Sequence, residues 1–494
     1  MSDVVWALTL CLAAVAALLV LRRRTPVAFW WLVGFPIVAL RVLATYRATM
    51  DACGLTVPAS AVRRATARLV GREAAPVPPH RSLPRPTGAG LVMKLRMATG
   101  QAPEDFFASA DRLRHAWAAH AVHTRPTRPG WLELRLIGWD VLADVRRPRR
   151  KPDGCGLLSL PLALRDDGRW HVRGFRTVPH ELIFGATQSG KSVYLRNLLC
   201  GLARQPVVLV GIDCKWGVEL APFAPRLSAL ADTPDRANAL LDALLDEMEA
   251  RFRLIGMTSV LGVDAVLTSD VWGLPDSDRP VPVVVVVDEV AELFLAANRD
   301  DEKRRDAMVT KLIRMAQLGR AAGIYLEVCG QRFGSELGKG ATMLRAQLSG
   351  RVCHRVNDES SANMALADIS AEAALAATAI PADLPGVAIV GDASGGWSRA
   401  RSPHLTLDDA AAVCRATSGL VPELPRLDAF RPAASTVAVE AVPPHGARRP
   451  TGDRLAHPLP TVGVTASRHV PTPPMPRTGR EPHRCAPTSP ASIP

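Results

Sequence analysis

Two long apolar runs lie near the start of the chain, and mixed polarity follows them. The first, residues 4–21, reads VVWALTLCLAAVAALLVL and contains no charged residue. The second, residues 27–40, reads VAFWWLVGFPIVAL and includes Trp30 and Trp31, a residue type that favours membrane interfaces. Because about 20 apolar residues cross a bilayer as a helix, residues 1–50 are predicted to form a membrane anchor.

The arginines beside these runs leave two topologies open. Arg22, Arg23 and Arg24 directly follow the first run. Two spans with both ends inside would place this triplet outside, against the preference of positively charged segments for the cytoplasm. One span followed by a re-entrant or interfacial segment would keep the triplet inside. A cytoplasmic continuation is predicted in both cases, because further arginines follow the second run: Arg41, Arg47, Arg63, Arg64 and Arg68.

The chain between the anchor and residue 167 is predicted to comprise a linker and a small α+β module. Residues 51–90 are rich in Pro, Arg and Ala, which is typical of a linker. In the module, residues 91–167, apolar and polar positions alternate over 91–97 and 131–137 as in strands. Between these segments, acidic residues after Pro103 predict a helix that continues to about His123.

From residue 168 to 425 the pattern predicts a larger α/β domain. Short, β-branched and nearly uncharged runs occupy residues 207–212, 283–287 and 324–329. Strands that are buried on both faces of a parallel sheet have this composition. Because helical stretches separate them, a doubly wound and mostly parallel sheet is expected. Residues 426–494 lose periodicity and are rich in Pro, Arg, Thr and Ala, so a disordered tail is predicted there.

A phosphate-binding loop follows a predicted strand in the α/β domain. The stretch GATQSGKS has the P-loop spacing and precedes an apolar-periodic helix. Its glycines allow backbone N–H groups to turn towards phosphates, while Lys191 would reach the β- and γ-phosphates and Ser192 would bind Mg²⁺. The residues predicted to bind ATP are Gly185, Ala186, Thr187, Gln188, Ser189, Gly190, Lys191 and Ser192.

An acidic pair follows the most apolar strand of the chain. The run of five valines at 283–287 ends in Asp288 and Glu289. Asp288 is predicted to join Ser192 in holding Mg²⁺, and Glu289 to polarise a water molecule for attack on the γ-phosphate. An acidic pair at a helix N-terminus is also favoured by the helix dipole alone, but the combination with a P-loop favours a catalytic pair.

Charge and cysteine content add two constraints. The formal net charge of +13 suits a polyanionic partner, either nucleic acid or an acidic membrane surface. A general excess of arginine explains part of this charge equally well. The nine cysteines include no Cys-x-x-Cys pair, which argues against a disulfide framework or a zinc site.

Several ordered motifs in residues 170–400 resemble the FtsK/SpoIIIE double-stranded DNA translocases. Beside the P-loop these are DEVAEL at 288–293, RMAQLGRAAG at 314–323, GQR at 330–332 and IDCK at 212–215. GQAPEDF at 100–106, together with RPG at 128–130, resembles the actinomycete plasmid-transfer branch of that family. The chain departs from the family pattern in two places: Cys214 replaces a proline, and residues 361–363 replace an Asp-Ser-Arg motif.

The resemblance implies a RecA-like ATPase that assembles as a homo-hexameric ring. It implies that Gln331 senses the γ-phosphate, that Arg320 reaches the nucleotide of a neighbouring subunit, and that Arg351 is a further catalytic arginine. It also implies an ATP-driven double-stranded DNA translocase at the cell membrane, serving conjugative plasmid transfer. The residues reveal no sequence-reading domain, so DNA contact is expected through phosphates.

Two other functions remain open at this stage. A chromosome-segregation motor of the FtsK type would use the same ATPase core. Type VII secretion ATPases share that core as well, but they carry several ATPase domains in series, whereas this sequence contains one P-loop. A membrane scaffold gated by nucleotide but without transport is disfavoured, because Lys191, Asp288 and Glu289 are all present.

Overall fold

The computed structural model describes most of the chain up to residue 432. The described residues are 2–71, 73–148, 150–261, 267–334, 337–338, 340–392 and 395–432. Most of the predicted disordered tail therefore lies outside the described residues. The α-helices of the described part are α1 Ser2–Arg24, α2 Pro26–Phe29, α3 Phe35–Ala52, α4 Ala61–Leu69, α5 Pro103–Ala108, α6 Ala110–Ala116, α7 Lys191–Ala203, α8 Pro234–Leu261, α9 Val290–Phe294, α10 Arg299–Ala322, α11 Ala341–Gln347, α12 Glu359–Leu366, α13 Ala371–Thr378 and α14 Leu407–Ala416.

The strands and tighter helical turns complete the described secondary structure. A π-helical turn, Trp30–Gly34, joins α2 to α3, and 3-10 helices cover Ala221–Arg226, Val271–Gly273, Ser418–Leu420 and Pro425–Phe430. The strands are β1 His80–Arg81, β2 Arg85–Pro86, β3 Gly90–Arg96, β4 Ala121–Arg128, β5 Trp131–Ile137, β6 Ser159–Arg165, β7 Trp170–Gly174, β8 His180–Phe184, β9 Val208–Ile212, β10 Ala229–Ala231, β11 Val283–Val287, β12 Ile324–Gly330, β13 Gly350–His354, β14 Val387–Asp392 and β15 Trp397–Arg401.

Two N-terminal helical segments are long and apolar enough to cross a membrane. The first, Val4–Arg24, exposes its whole length. The second, Pro26–Ala52, is also apolar, but one side of its later half packs against protein. Val42, Tyr46 and Met50 are buried in a core formed with the α+β module. Thus α3, which lies mostly within the predicted anchor over residues 1–50, also supplies one layer of that module.

The α+β module is an antiparallel sheet in the order β1-β3-β5-β4, with β2 paired to β3. Met93 faces Leu134 in the pairing of β3 with β5, and both side chains are buried against α3. The predicted helix over 103–123 is wrong in length, since α6 ends at Ala116 and β4 begins at Ala121. The predicted linker is partly folded too, because it contains α4, β1 and β2.

The α/β domain contains a ten-stranded sheet in the order β10-β9-β11-β12-β8-β13-β14-β15-β6-β7. The first six strands are parallel, and the last four are antiparallel additions. The predicted boundary at 167 separates β6 from β7, although these two strands form one hairpin of this sheet. Alternating strand patterns are the same in either sheet, so the sequence did not indicate where β6 belongs.

Hydrophobic cores cover both faces of the parallel part, as the doubly wound prediction requires. In β11, Val283, Val285 and Val287 face one core, while Val284 and Val286 face the other. Burial on both faces is the physical reason for an uninterrupted apolar run. The folded chain also continues past the predicted boundary at 425, because Leu427 is buried and Arg426 pairs with Glu247 at 2.7 Å.

Candidate nucleotide site

The phosphate loop lies between β8 and α7, where the chain reverses from the sheet into a helix. Gly185 and Gly190 have φ values of +153° and +109°, and Gln188 has +61°. A Cβ at Gly185 would lie 2.7 Å from the His354 Cβ, and one at Gly190 would lie 2.3 Å from the Gly386 nitrogen. Both positions therefore require glycine for backbone conformation and for space.

Two distant segments hold this loop in place. The Ala186 N–H donates to the Arg355 carbonyl at 2.9 Å, and the Gly386 N–H donates to the Ser189 carbonyl at 2.9 Å. The buried Ser189 hydroxyl has no protein partner among the described residues. Neither Arg355 nor Gly386 was predicted from the sequence as a site residue, because each reaches the loop only through the fold.

The acidic pair meets two lysines at the carboxyl edge of the sheet. Asp288 and Glu289 follow β11 directly. The Lys215 Nζ lies 3.4 Å from the Asp288 Oδ2 and 3.9 Å from the Glu289 Oε2. The Lys191 Nζ lies 3.7 Å from the Glu289 Oε2. Two lysines and two carboxylates thus converge beside the phosphate loop, because the carboxyl ends of neighbouring parallel strands meet at this edge of the sheet.

Gln331 connects the loop to the acidic pair from the end of β12. The Thr187 hydroxyl donates to the Gln331 Oε1 at 3.1 Å, and the Gln331 N–H donates to the Glu289 Oε1 at 3.3 Å. The neighbouring positions of β8, β12 and β11 explain this convergence. The structure therefore brings Lys191, Asp288, Glu289 and Gln331 together.

Burial shifts the acid–base properties of this group. It raises the pKa of Asp288 to about 6, although the nearby Lys215 ammonium opposes the shift. Burial alone would lower the pKa of Lys215, but Asp288 and Glu289 outweigh it, and the pKa is raised. The raised pKa of Lys215 indicates that its ammonium is held charged beside the two carboxylates, whereas the raised pKa of Asp288 reflects the cost of burying its carboxylate.

Lys215 is the main site residue to which the sequence analysis gave no role. It follows β9, which neighbours β11, so its place after a buried strand was an available indication. Asp213 shapes the turn that presents it, because its carboxylate accepts from the N–H groups of Glu219 at 2.8 Å and Leu220 at 3.1 Å.

A buried ionic group connects the strands before the loop. Arg173 on β7 lies 3.3 Å from Glu181 on β8 and 2.5 Å from Glu327 on β12. The Tyr194 hydroxyl on α7 donates to Glu181 at 2.8 Å. Burial raises the pKa of Glu327 well above its usual range, with Arg173 opposing the shift. This group joins three strands to the helix of the phosphate loop.

Two predicted arginines lie apart from the nucleotide site of their own chain. Arg320 is exposed near the end of α10, whereas Gln331 follows the opposite end of β12, a strand that spans about 23 Å at the usual rise. Arg351 is buried, and its guanidinium donates to the Arg345 carbonyl at 3.0 Å and to Asp368 at 3.4 Å. These contacts tie β13 to neighbouring segments of the same chain.

The residues present fit a magnesium-bound nucleotide. The two glycines form a cradle that any side chain would fill, and α7 directs its N-terminus at the loop. Across the described residues, no group of three His, Cys, Asp or Glu side chains could hold a metal alone. P-loop sites instead share Mg²⁺ between phosphates, a loop hydroxyl and one aspartate, and in this chain Ser192 and Asp288 would be the protein groups that hold it.

The fold and this site together define a P-loop ATPase. Residues 16–138 match the family described as the actinomycete conjugal transfer protein N-terminal domain, and residues 147–335 match the FtsK/SpoIIIE family. The chain is 54% identical over 411 residues to the transfer protein TraSA of Streptomyces ambofaciens, covering 82% of this chain and 98% of that protein. The chain belongs to this family of actinomycete transfer proteins, which confirms the resemblance predicted from the motifs.

Two further relatives and one solved structure match smaller parts of this chain. A sporulation regulatory protein of Streptomyces azureus is 56% identical over 286 residues, 56% of this chain and 91% of that protein. The DNA translocase FtsK of Mycobacterium tuberculosis is 34% identical over 207 residues, 39% of this chain and 24% of that protein. The structure of the pCW3 conjugation coupling protein TcpA aligns with a TM-score of 0.48 at 17% identity, covering 76% of this chain and 98% of that one.

Proposed function

We propose that this protein hydrolyses ATP to move double-stranded DNA across a cell boundary during plasmid transfer. The observation that carries the proposal is the convergence of Lys191, Asp288, Glu289 and Gln331 beside a P-loop. A DNA substrate is supported by the similarity to two relatives, a transfer protein and a DNA translocase. We further propose a homo-hexameric ring whose ATPase domain lies in the cytoplasm.

Each site residue has a separate role in this proposal. Lys191 and the loop N–H groups would hold the phosphates, while Ser192 and Asp288 would hold Mg²⁺. Bound Mg²⁺ supplies positive charge that neutralises the phosphates. Lys191 is 3.7 Å from Glu289, so engaging a phosphate would release Glu289 from Lys191 and leave Lys215 as its neighbouring cation at 3.9 Å. The Glu289 carboxylate can then accept a proton from the attacking water.

Gln331 is suited to couple the bound nucleotide to the rest of the domain. Its side chain contacts the loop, and its backbone N–H contacts the catalytic carboxylate. Binding or loss of the γ-phosphate would therefore be transmitted to β12 through Gln331. Arg320 lies near the other end of β12, in the last turn of α10, and would serve the nucleotide of a neighbouring subunit.

The test is an ATPase assay of the full-length protein in lipid nanodiscs, titrated with double-stranded DNA. We expect DNA to stimulate turnover, and unrelated duplexes of equal length to stimulate alike, because contacts to phosphates do not read sequence. Apparent affinity should fall with salt, with a log–log slope of about −0.9 for each phosphate contacted. Lys191→Ala is the control, since it should remove turnover with and without DNA.

A rate indifferent to DNA at low salt would contradict the proposal. It would promote the secretion alternative, in which a protein substrate replaces DNA. A preference for one duplex sequence would contradict the phosphate-contact part alone and would favour a chromosome-type motor with sequence recognition.

A further inference from the structure

The second apolar segment, Pro26–Ala52, has one side covered by the α+β module along nearly its whole length. Trp30, Val42, Tyr46 and Met50 are all buried. These positions span 21 residues, which is about 30 Å of helix at the α-helical rise. The covered side therefore begins four residues after the segment starts and continues almost to its end.

Specific contacts fix both ends of this segment to the module, beginning with its N-terminal end. The Trp30 Nε1 donates to the Gly90 carbonyl at 3.0 Å. The indole also lies against Gly138, where a Cβ would approach the ring to 2.0 Å. Near the C-terminal end, the Tyr46 hydroxyl donates to the Pro79 carbonyl at 2.8 Å. Gly138 leaves room for the indole, so the docking at Trp30 is built into the module.

This docking is incompatible with a second membrane span. A bilayer core of about 30 Å needs about 20 residues of lipid-exposed helix, whereas only Pro26–Phe29 precede the module contact. Crossing would carry β3 and β5 into the hydrocarbon with Lys94, Arg96 and Glu133. Open sheets and charged side chains are not tolerated against lipid.

The uncovered side of the same segment changes character along its length. Its first half exposes only apolar side chains of large size, with Leu32 at 70% and Leu40 at 69% exposure. Its second half exposes polar and charged residues, among them Arg41, Arg47 and Asp51. The apolar half adjoins the fully exposed α1, whose last turn contains Arg22, Arg23 and Arg24.

We propose that α1 alone crosses the membrane, and that the apolar half of the second segment lies in the cytoplasmic lipid interface. The lipid-facing surface consists of Val27, Trp31, Leu32, Ile37 and Leu40. This arrangement keeps the arginine triplet inside, in agreement with the positive-inside tendency. It rests the α+β module directly on the bilayer surface. The inference depends on the proposed cytoplasmic position of the ATPase domain.

Tag accessibility in intact protoplasts tests the number of spans. Full-length protein carries one epitope tag at the N-terminus and another at the C-terminus, and external protease is added. We expect loss of the N-terminal tag and retention of the C-terminal tag, because one span separates them. Retention of both tags would overturn the inference. Loss of the C-terminal tag would overturn the proposed cytoplasmic ATPase and, with it, the inference.

Cysteine labelling locates the segment between the two helices independently. Thr25→Cys and Ala48→Cys are each treated with a membrane-impermeant maleimide, and labelling is measured above that of the unsubstituted chain. One span predicts that both react only in inverted vesicles. Two spans predict that Thr25→Cys reacts from outside while Ala48→Cys reacts from inside, which would overturn the inference and leave the proposed function intact.

A fluorescence measurement tests the lipid-facing surface itself. Leu40→Cys and Ala48→Cys are labelled with an environment-sensitive dye in vesicles of phosphatidylethanolamine and phosphatidylglycerol. At position 40 we expect blue-shifted emission that a doxyl-labelled lipid quenches, and at position 48 the emission of a dye in water. Water-like, unquenched emission at both positions would overturn the lipid contact, whatever the tags show.

Discussion

At the scale of single residues, the site separates binding from chemistry. Lys191 and Glu289 form an ion pair, but only Lys191 belongs to the phosphate loop. We expect Lys191→Ala to lose ATP binding. Glu289→Gln should still bind ATP and lose turnover by about 10²- to 10⁴-fold, because only the proton acceptor is removed. Binding of a fluorescent ATP analogue and phosphate release measure the two effects. Equal loss of ATP binding in both variants would contradict this division.

His354 provides a prediction about pH, because it is buried beneath the phosphate loop. Burial lowers its pKa to about 4, and Lys191 contributes in the same direction. The unfolded chain therefore binds a proton at higher pH than the folded chain does. Stability should be complete above the usual histidine pKa of about 6.5 and fall as the pH decreases towards 4, by about 3 kcal/mol from this residue.

The measurement is the thermal midpoint of the ATPase domain between pH 7 and pH 5. His354→Asn should be less stable at pH 7, since the ring packs against Tyr194, but its midpoint should fall less on acidification. His404→Asn, at an exposed position, is the matched control and should follow the parent protein. An identical acid response in His354→Asn and the parent would show that this histidine does not link protonation to folding.

Sequence predicted the residues of local motifs and missed those that reach the site from elsewhere. The P-loop, Asp288 and Glu289 each follow a buried strand, so the local pattern predicted them, whereas Gln331 and Arg351 were expected from the family resemblance. Gly386 and His354 lie against the loop through the fold, and no sequence pattern indicated these contacts. Arg351 is buried, and its guanidinium contacts Arg345 and Asp368.

At the scale of elements, the sequence identified the uninterrupted apolar runs but did not indicate what each run packs against. The β11 strand was predicted with its observed bounds because both of its faces are buried. The run over residues 27–40 is equally apolar, yet one side packs on protein and the other is exposed. Hydropathy gives the total apolar surface of a helix but does not say which solvent or partner covers each side.

The two sides of the second segment predict opposite effects of truncation to alanine. Met50 is fully buried, so Met50→Ala should destabilise the module by about 2–5 kcal/mol through lost burial and a cavity. Leu40→Ala, on the same helix with 69% exposure, should leave the packing of the module unchanged. Thermal unfolding and limited proteolysis in detergent measure both variants. Equal destabilisation would mean that Leu40 also packs on protein.

At the scale of the whole molecule, basic residues serve more than one partner. The net charge of +13 was compatible with nucleic acid or membrane, and the chain needs both in the proposed function. The arginines near α1 suit acidic lipids, whereas the site lysines are already paired with carboxylates. Composition therefore could not assign the charge, because the assignment depends on where the fold places each cation.

The proposed ring can be tested at Arg320, because this arginine lies away from the nucleotide site of its own chain. It lines a cavity of about 370 Å³ with Arg176, Thr177, Asp270 and Trp272, near the end of the sheet away from the phosphate loop. In a ring, one such edge can face the nucleotide edge of the next subunit. We expect Arg320→Ala to bind ATP and DNA and to lose at least about 100-fold in turnover.

Mixing variants distinguishes a contribution between subunits from a local structural effect. Arg320→Ala retains an intact phosphate loop, and Lys191→Ala retains an intact arginine, so an interface between them joins two working halves. An equal mixture should restore turnover at about a quarter of the interfaces, because each active interface needs one subunit of each kind in the correct order. Arg314→Ala, an exposed position on the same helix, is the control and should keep normal turnover alone. A mixture as inactive as its two components, in rings of verified mixed composition, would place the effect of Arg320 inside its own subunit.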